Sequence, residues 1–258
     1  MTIVYISWAD SVDMIIFDLY SLIAVSKIME FKKELIHGHL IRRYKRFLAD
    51  VTLDDGREIT AHCTNSGTMK SCLEDGAEVW LTPVDDPKRR TKFTWEMIRI
   101  NGDWVGINTS NPNTLAFEWV SQGKIPDLVG LTALKREVKW EDSRFDLYGE
   151  GPEGGCFIEV KNVTLKEGDR ALFPDAVTER GRKHLNTLIR VKQSGLRAVM
   201  LYVVQRLDVH IFSPARDIDP AYGEALDKAV RHGVEILVVQ ARVTPEGIHF
   251  HKELPVEL

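Results

Sequence analysis

Residues 144–163, RFDLYGEGPEGGCFIEVKNV, decide how the C-terminal half of this chain folds. Two short apolar runs flank a segment rich in glycine and proline, the composition of a turn, so strands are expected over 144–149 and 156–163. Side chains two apart in a strand share a face. Phe157, Glu159 and Lys161 therefore lie on one side, and Ile158, Val160 and, approximately, Val163 on the other. On the neighbouring strand Asp146 interrupts apolar Phe145 and Leu147. Charged groups inside apolar strands are costly to bury unless paired or bound to a cation.

Working outward, the surrounding pattern mixes strands and helices. LKREVKW (134–140) reads as a solvated strand. Asn111-Pro112 is expected to cap and open a helix that ends at Gly123. A long helix is expected over roughly 175–194 with Asp175 as its cap, then an apolar strand RAVMLYVVQ, a helix from Asp219-Pro220 to Gly233, and the strand VEILVVQARV. This is an α/β domain. Before it, LIRRYKRFLADVTL reads as one long extended run, turned at Asp55-Gly56 into REITAHC. AEVWLTPV, RTKFTWEMIRI and DWVGIN follow, the last two joined at Asn101-Gly102. Five short strands with polar turns imply a small barrel of the OB type. The expected division is an extension over 1–28, a barrel over 29–110 and the α/β domain over 111–258.

Composition bounds the function. The 258 residues are 44% hydrophobic and 28% charged, ordinary globular values. The net charge of −4 means that nucleic-acid binding must rest on local basic patches. Three cysteines without a CxxC pair imply neither a disulfide framework nor a cysteine zinc site, and point to a reducing, cytoplasmic setting. The apolar segment 14–28 is broken by Asp18 and lacks a basic leader, so no membrane partner is expected; residues 1–28 read as a poorly ordered or adventitious extension, with Met29 opening the regular sequence as a candidate start.

Two carboxylates close together favour Mg2+ or Mn2+, which prefer oxygen ligands. Such an ion polarises a phosphate oxygen and acidifies a bound water, and a nearby lysine stabilises developing charge or orients the water. Asp146, Glu159 and Lys161 are thus the candidate catalytic set, an Asp…(Asp/Glu)-x-Lys nuclease core, with Asp146 and Glu159 as metal ligands. The (Asp/Glu)-x-Lys pattern is itself common. It also occurs at Glu30/Lys32, Asp86/Lys88 and Glu137/Lys139, the last with Pro126-Asp127 upstream. Only Glu159/Lys161 sits in an apolar strand beside a further carboxylate, which separates it from the other matches; on the residues alone the set reads either as a metal site or as a structural ion-pair cluster. Glu118, one position off the apolar stripe of the first helix, is a third candidate metal ligand if it points inward, and a surface glutamate otherwise.

LIRRYKRFLADVTLDDGREITAHC, VGINTSNPN, IEVKNVTL and FPDAVTERGRKHL, in that order, resemble the sugar fermentation stimulation protein family over about Phe31 to Leu258. The resemblance implies an OB-like domain followed by a restriction-endonuclease-like domain, DNA binding, and a link to regulation of sugar (maltose) metabolism. It places Asp146, Glu159 and Lys161 at the nuclease-core positions and Glu118 at a helix acid often found there. CTNSGTM varies the family's more usual Cys-Pro-Asn-Thr-Gly-x-Met loop, with Thr64 for proline and Ser66 for threonine.

Cations interleaved with aromatics suit a surface that tracks a phosphate backbone and stacks bases. Arg42, Arg43, Lys45 and Arg46 surround Tyr44 and Phe47; Arg43, Lys45 and Phe47 are expected on one face. Arg89 and Arg90 precede Phe93 and Trp95. Arg180 and His184, one helical turn apart, are placed to meet phosphates beside the metal. The expected partner is DNA, with RNA the open alternative. Two functions follow: metal-dependent phosphodiester hydrolysis, or DNA-binding regulation of sugar genes without cleavage.

Overall fold

The computed structural model describes residues 29–258. The expected extension over 1–28 lies outside the described residues. The N-terminal strands are β1 (Ile36–Tyr44), β2 (Leu48–Leu53), β3 (Glu58–His62), β4 (Glu78–Pro83), β5 (Phe93–Ile100) and β6 (Asp103–Gly106). Their order is β3-β2-β1-β4-β5-β6, and His62 of β3 pairs with Thr94 of β5. That pairing closes β1–β5 into a five-stranded OB-like barrel and leaves β6 outside the closure. Leu40, Val51, Ala61, Val79, Leu81, Trp95 and Ile98 fill it.

The count of five holds, but the strands are not the five expected. LIRRYKRFLADVTL is a hairpin. Lys45 and Arg46 adopt φ of 49° and 64° and reverse the chain, so that Tyr44 pairs with Leu48. Non-glycine residues enter this region uncommonly, and no Asn-Gly or Asp-Gly pair marks the turn. The expected shared face of Arg43, Lys45 and Phe47 therefore does not exist: Lys45, Arg46 and Phe47 form the hairpin tip.

The α/β domain runs α1 (Asn111–Ser121), β7 (Thr132–Trp140), β8 (Ser143–Gly151), β9 (Gly154–Val163), β10 (Leu165–Glu167), β11 (Arg170–Phe173), α2 (Glu179–Gln193), β12 (Arg197–Val204), β13 (Ile211–Pro214), α3 (Pro220–Arg231), β14 (Glu235–Thr244) and β15 (Gly247–Glu253). Its main sheet has the order β15-β14-β12-β9-β8-β7. The central strands β9, β12 and β14 are parallel and the flanking pairs antiparallel. Parallel strands covered on both faces explain the continuous apolar run in β12. One face packs Ile158, Val160 and Leu201 against Leu115, Ala116 and Trp119 of α1. The other packs Phe157, Val163 and Met200 against Leu185 and Leu188 of α2 and Leu226 of α3. Val163 thus lies on the Phe157 side, as strand parity requires, and not with Ile158.

Two helix starts differ from expectation. Asn111 is the first residue of α1, which Ser110 precedes without a side-chain cap. The Asn111 amide instead donates to buried Glu96 of the barrel at 3.2 Å, beside Asn108 at 2.9 and 3.0 Å. NTSNPN is therefore a tie between the two domains. Thr178, not Asp175, caps α2 by accepting from Gly181 N. Asp219 caps α3 as expected, accepting from Tyr222 N.

Candidate metal centre

Phe145 packs on the α2 side of the sheet and Leu147 on the α1 side, so the alternation of β8 slips at Asp146. Regular pairing with β9 starts only at Leu147, opposite Ile158. The Asp146 carboxylate accepts the Val160 N–H at 2.7 Å through Oδ2 and the Asn113 side-chain amide at 2.6 Å through Oδ1. Slippage and hydrogen bonds together hold it beside β9.

Glu159 is 2% exposed. Its Oε1 accepts from Lys161 Nζ at 2.5 Å and is in close contact with His184 Nδ1. Arg180 Nε donates to His184 Nε2 at 3.4 Å, which assigns the proton to Nδ1 and makes it a donor to Glu159. Among the described residues, Oε2 of Glu159 is buried without a hydrogen-bond partner. A buried carboxylate oxygen left unpaired is costly, and a cation held with Asp146 would satisfy it. The donors are oxygens, as Mg2+, Mn2+ and Ca2+ prefer. On this observation the residues fit a divalent ion.

The two carboxyls are driven apart. Burial, with the charge of Glu159, pushes Asp146 up to about 6, against the Val160 N–H and Lys161. Burial also pushes Glu159 upward, but His184 and Lys161 outweigh it and hold the group below its ordinary range. Opposite shifts on neighbouring carboxyls are characteristic of functional sites.

The barrel supplies the facing wall. A cleft of about 530 Å3 is lined by Arg46, Asn65 and Gly67 from the barrel and by Asp146, Glu159, Lys161 and Arg180. The loop of CTNSGTM is pinned there. Arg43 donates to the carbonyls of Arg46, Asn65 and Gly67 at 2.8–2.9 Å. The backbone N–H groups of Met69 and Thr68 donate to Asp175. A Cβ on Gly67 would stand 1.8 Å from Asp175 Oδ2. Gly67→Ala is expected to cost about 1–3 kcal/mol, read as a Tm lowered by several degrees in calorimetry. Adding Asp175→Ala should recover part of that loss; additive losses would refute the steric account.

The expected site residues divide. Asp146, Glu159 and Lys161 come together. His184 joins them, but as a buried partner of Glu159 (5% exposed) and not as a phosphate contact. It lies on the apolar stripe Gly181, His184, Leu185, Leu188, Val191, and that spacing was the available sign of burial. Arg180 is exposed at the cleft. Glu118 is not brought to the centre. The α1 residue on Asp146 is Asn113, five positions earlier, and five residues turn a helix by about 140°. Glu118 instead interacts with Lys124.

Among the basic residues, Arg43 is committed to the loop. Arg42 is paired with Asp50 at 3.0 Å and lies over Tyr44. Lys45 and Arg46 are exposed at the hairpin tip with Phe47, which is 49% exposed. Arg89 donates to Thr94 Oγ1 at 3.2 Å, and Arg90 is exposed beside it. Barrel closure sets Thr94 beside His62, itself opposite Leu48, so this second basic turn faces the same end of the barrel as the hairpin tip. The three cysteines are buried, and burial pushes Cys72 and Cys156 up to about 12, which makes them poor nucleophiles.

Residues 110–247 match the family model described as the sugar fermentation stimulation protein RE domain, and residues 41–107 that of the SfsA N-terminal OB domain. The sugar fermentation stimulation protein homolog of Geobacter sulfurreducens is 52% identical over 229 residues, covering 88% of this chain and 98% of that protein. That of Paramagnetospirillum magneticum is 48% identical over 233 residues, covering 89% and 98%. The solved structure of Pyrococcus furiosus SfsA in complex with Ca2+ superposes with a TM-score of 0.81 at 28% identity, covering 90% of this chain and 99% of that one.

Proposed function

Because this chain belongs to the sugar fermentation stimulation protein family, we propose that it binds DNA in the cleft between its two domains and hydrolyses a phosphodiester bond at Asp146, Glu159 and Lys161. The observation that carries this reading is the unpaired, buried Oε2 of Glu159 next to an Asp146 carboxyl with a raised pKa. Asp146 and Glu159 would hold Mg2+ or Mn2+, which when bound polarises a phosphate oxygen and lowers the pKa of a water. The oxygen-only donors agree with the Ca2+ of the Pyrococcus relative.

The protein's own residues do the rest. Lys161 sets an ammonium beside the carboxylates, where it orients the water or offsets charge growing on the phosphate. His184 fixes the Glu159 carboxylate by donating to Oε1. Arg46 and Arg180 reach the cleft from opposite walls and would hold flanking phosphates. Lys45 and Arg90 would extend that contact along the barrel. Among the described residues no helix is long and apolar enough to cross a membrane, and three unpaired cysteines go with a cytoplasmic setting.

The test is DNA cleavage by the full chain in Mg2+ and Mn2+, against Lys161→Ala. Metal-dependent cleavage that falls at least about 100-fold in the variant, with DNA affinity retained, supports the reading. DNA binding that survives chelation, with no cleavage in either metal, would replace it by the non-catalytic regulator of sugar metabolism genes.

Metal affinity should also depend on pH through Asp146. An ion competes with the proton, and the raised carboxyl is protonated below about 6. Mn2+ affinity measured by titration is expected to be flat above pH 7 and to fall by up to about tenfold per pH unit below 6. In Asp146→Asn this dependence should disappear with the affinity. A wild-type profile that begins to fall only near pH 4 would contradict it.

A further inference from the structure

The strand β1 carries a second group of ligands, at the end of the barrel away from the cleft. His37 and His39 are two apart and so share a face of β1. Leu53, the last residue of β2, pairs with the intervening Gly38, which sets Asp54 beside both rings. The cleft end of β1 is Tyr44, five residues or about 17 Å from His39 along the strand.

The geometry is close. His37 Nδ1 lies 2.8 and 3.0 Å from the two Asp54 carboxylate oxygens. One ligand atom each from His37, His39 and Asp54 lie within 4.8 Å of one another. The His37 ring is braced by Trp80, with centroids 4.9 Å apart, and meets the His39 ring edge-on at 5.2 Å. Glu78 adds negative charge, 3.6 Å from His37 Nε2, but its other oxygen is held by Arg99 at 2.8 Å. A His37–Asp54 ion pair alone would account for the first contact. It gives no reason for His39, an exposed imidazole on the same face within reach of the same point.

We propose that His37, His39 and Asp54 bind a first-row transition-metal ion of the Zn2+ class. Two imidazoles and a carboxylate suit Zn2+, whereas Mg2+ and Ca2+ take oxygen alone. Metal–ligand bonds of about 2.0–2.1 Å need ligand atoms about 3.3 Å apart in a tetrahedron. The His37–Asp54 pair reaches that by opening slightly, and His39 by a side-chain rotation on an open surface. Solvent supplies the fourth position. The site is separate from the carboxylate centre and does not depend on the function proposed for it.

The experiment is equilibrium dialysis of Zn2+ against the full chain at neutral pH with Mg2+ in millimolar excess, so that the carboxylate centre is competed. The wild type and Glu159→Gln should each bind one Zn2+ with the same affinity. His39→Ala and Asp54→Asn should bind about tenfold or more weakly. Co2+ as a spectroscopic probe should give visible bands in the wild type that His39→Ala loses. Both substituted residues are exposed, so unchanged melting temperatures without Zn2+ will show that the variants fold; should Asp54→Asn melt early, His39→Gln replaces it. No saturable Zn2+ in the wild type, or equal binding in His39→Ala, would overturn the proposal, as would binding lost in Glu159→Gln alone.

Discussion

Glu159→Gln is expected to reduce metal-dependent DNA cleavage by about 1,000-fold or more, some 4 kcal/mol of lost transition-state stabilisation. The side chain keeps its size in a position that is 2% exposed, so packing on the α2 side of β9 is preserved. What changes is charge and donor set. The unpaired Oε2 stops being an anionic ligand, and an amide now faces Lys161 Nζ, which lay 2.5 Å from Oε1. The ion loses one of its two carboxylates, and Lys161 keeps an amide oxygen to donate to but loses the negative charge paired with it. The loss should appear in kcat, because Arg46 and Arg180, the residues placed to hold flanking phosphates, are untouched. DNA affinity in chelator should therefore match wild type within a few-fold. Asp146→Asn should behave alike, and the double variant should be no worse than either single, since the two carboxylates act through one ion. Activity of Glu159→Gln within tenfold of wild type would sink the assignment of this centre.

The feature that made this centre legible is local. Glu159 and Lys161 are charges in a strand that otherwise reads as the buried interior of a parallel sheet, and that conflict between pattern and chemistry is visible from sequence. The barrel was legible for a similar reason: short alternating strands punctuated by Asp-Gly and Asn-Gly. The parts that were not legible depend on tertiary contact or on unmarked backbone. Nothing in RRYKRFL announces that Lys45 and Arg46 will take positive φ, so a period-2 reading ran through the turn. Asn113 reaches Asp146 because α1 packs on the sheet at β9 and β7, on either side of β8, and the turn of the helix carries Glu118 away. His184 was readable as buried from its place on the α2 stripe, but its partner, Glu159, is 25 residues distant, on β9. Gly67 looked like a loop glycine, and its reason is the Asp175 carboxylate from another domain.

Arg206→Met is expected to be the most damaging single change to stability, at about 3–5 kcal/mol, or a Tm lowered by roughly 10 °C. Arg206 is fully buried. Its Nε and Nη2 donate to the two oxygens of Asp208 at 2.7 and 2.9 Å, while Nη1 donates to the Thr164 carbonyl at 2.7 Å and to Ser71 Oγ at 3.0 Å. Burial pushes the Asp208 carboxyl upward, but Arg206, Lys166 and Asn101 outweigh it and hold the group far below its usual range. Methionine fills the volume and supplies no donor, so one side of Asp208 is left unpaired where water enters poorly, and the Thr164 carbonyl loses its shorter hydrogen bond and keeps the one from Ser71 Oγ at 3.2 Å. Lysine, with one point of charge in place of a planar fork, cannot restore both arms. The sign of the pH effect follows: a depressed carboxyl stabilises the fold above its ordinary unfolded value, near 4, and loses that contribution as pH falls through its folded one. Wild type should therefore lose more stability than Arg206→Met on acidification below pH 4. Because Ser71 closes the loop that walls the cleft, the variant should also bind DNA more weakly while keeping the Mn2+ affinity of the carboxylate centre. Thermal melts of Arg206→Met, Asp208→Asn and the double variant decide it: coupling requires the double to cost clearly less than the two singles together, and simple additivity would show that the buried arginine acts alone.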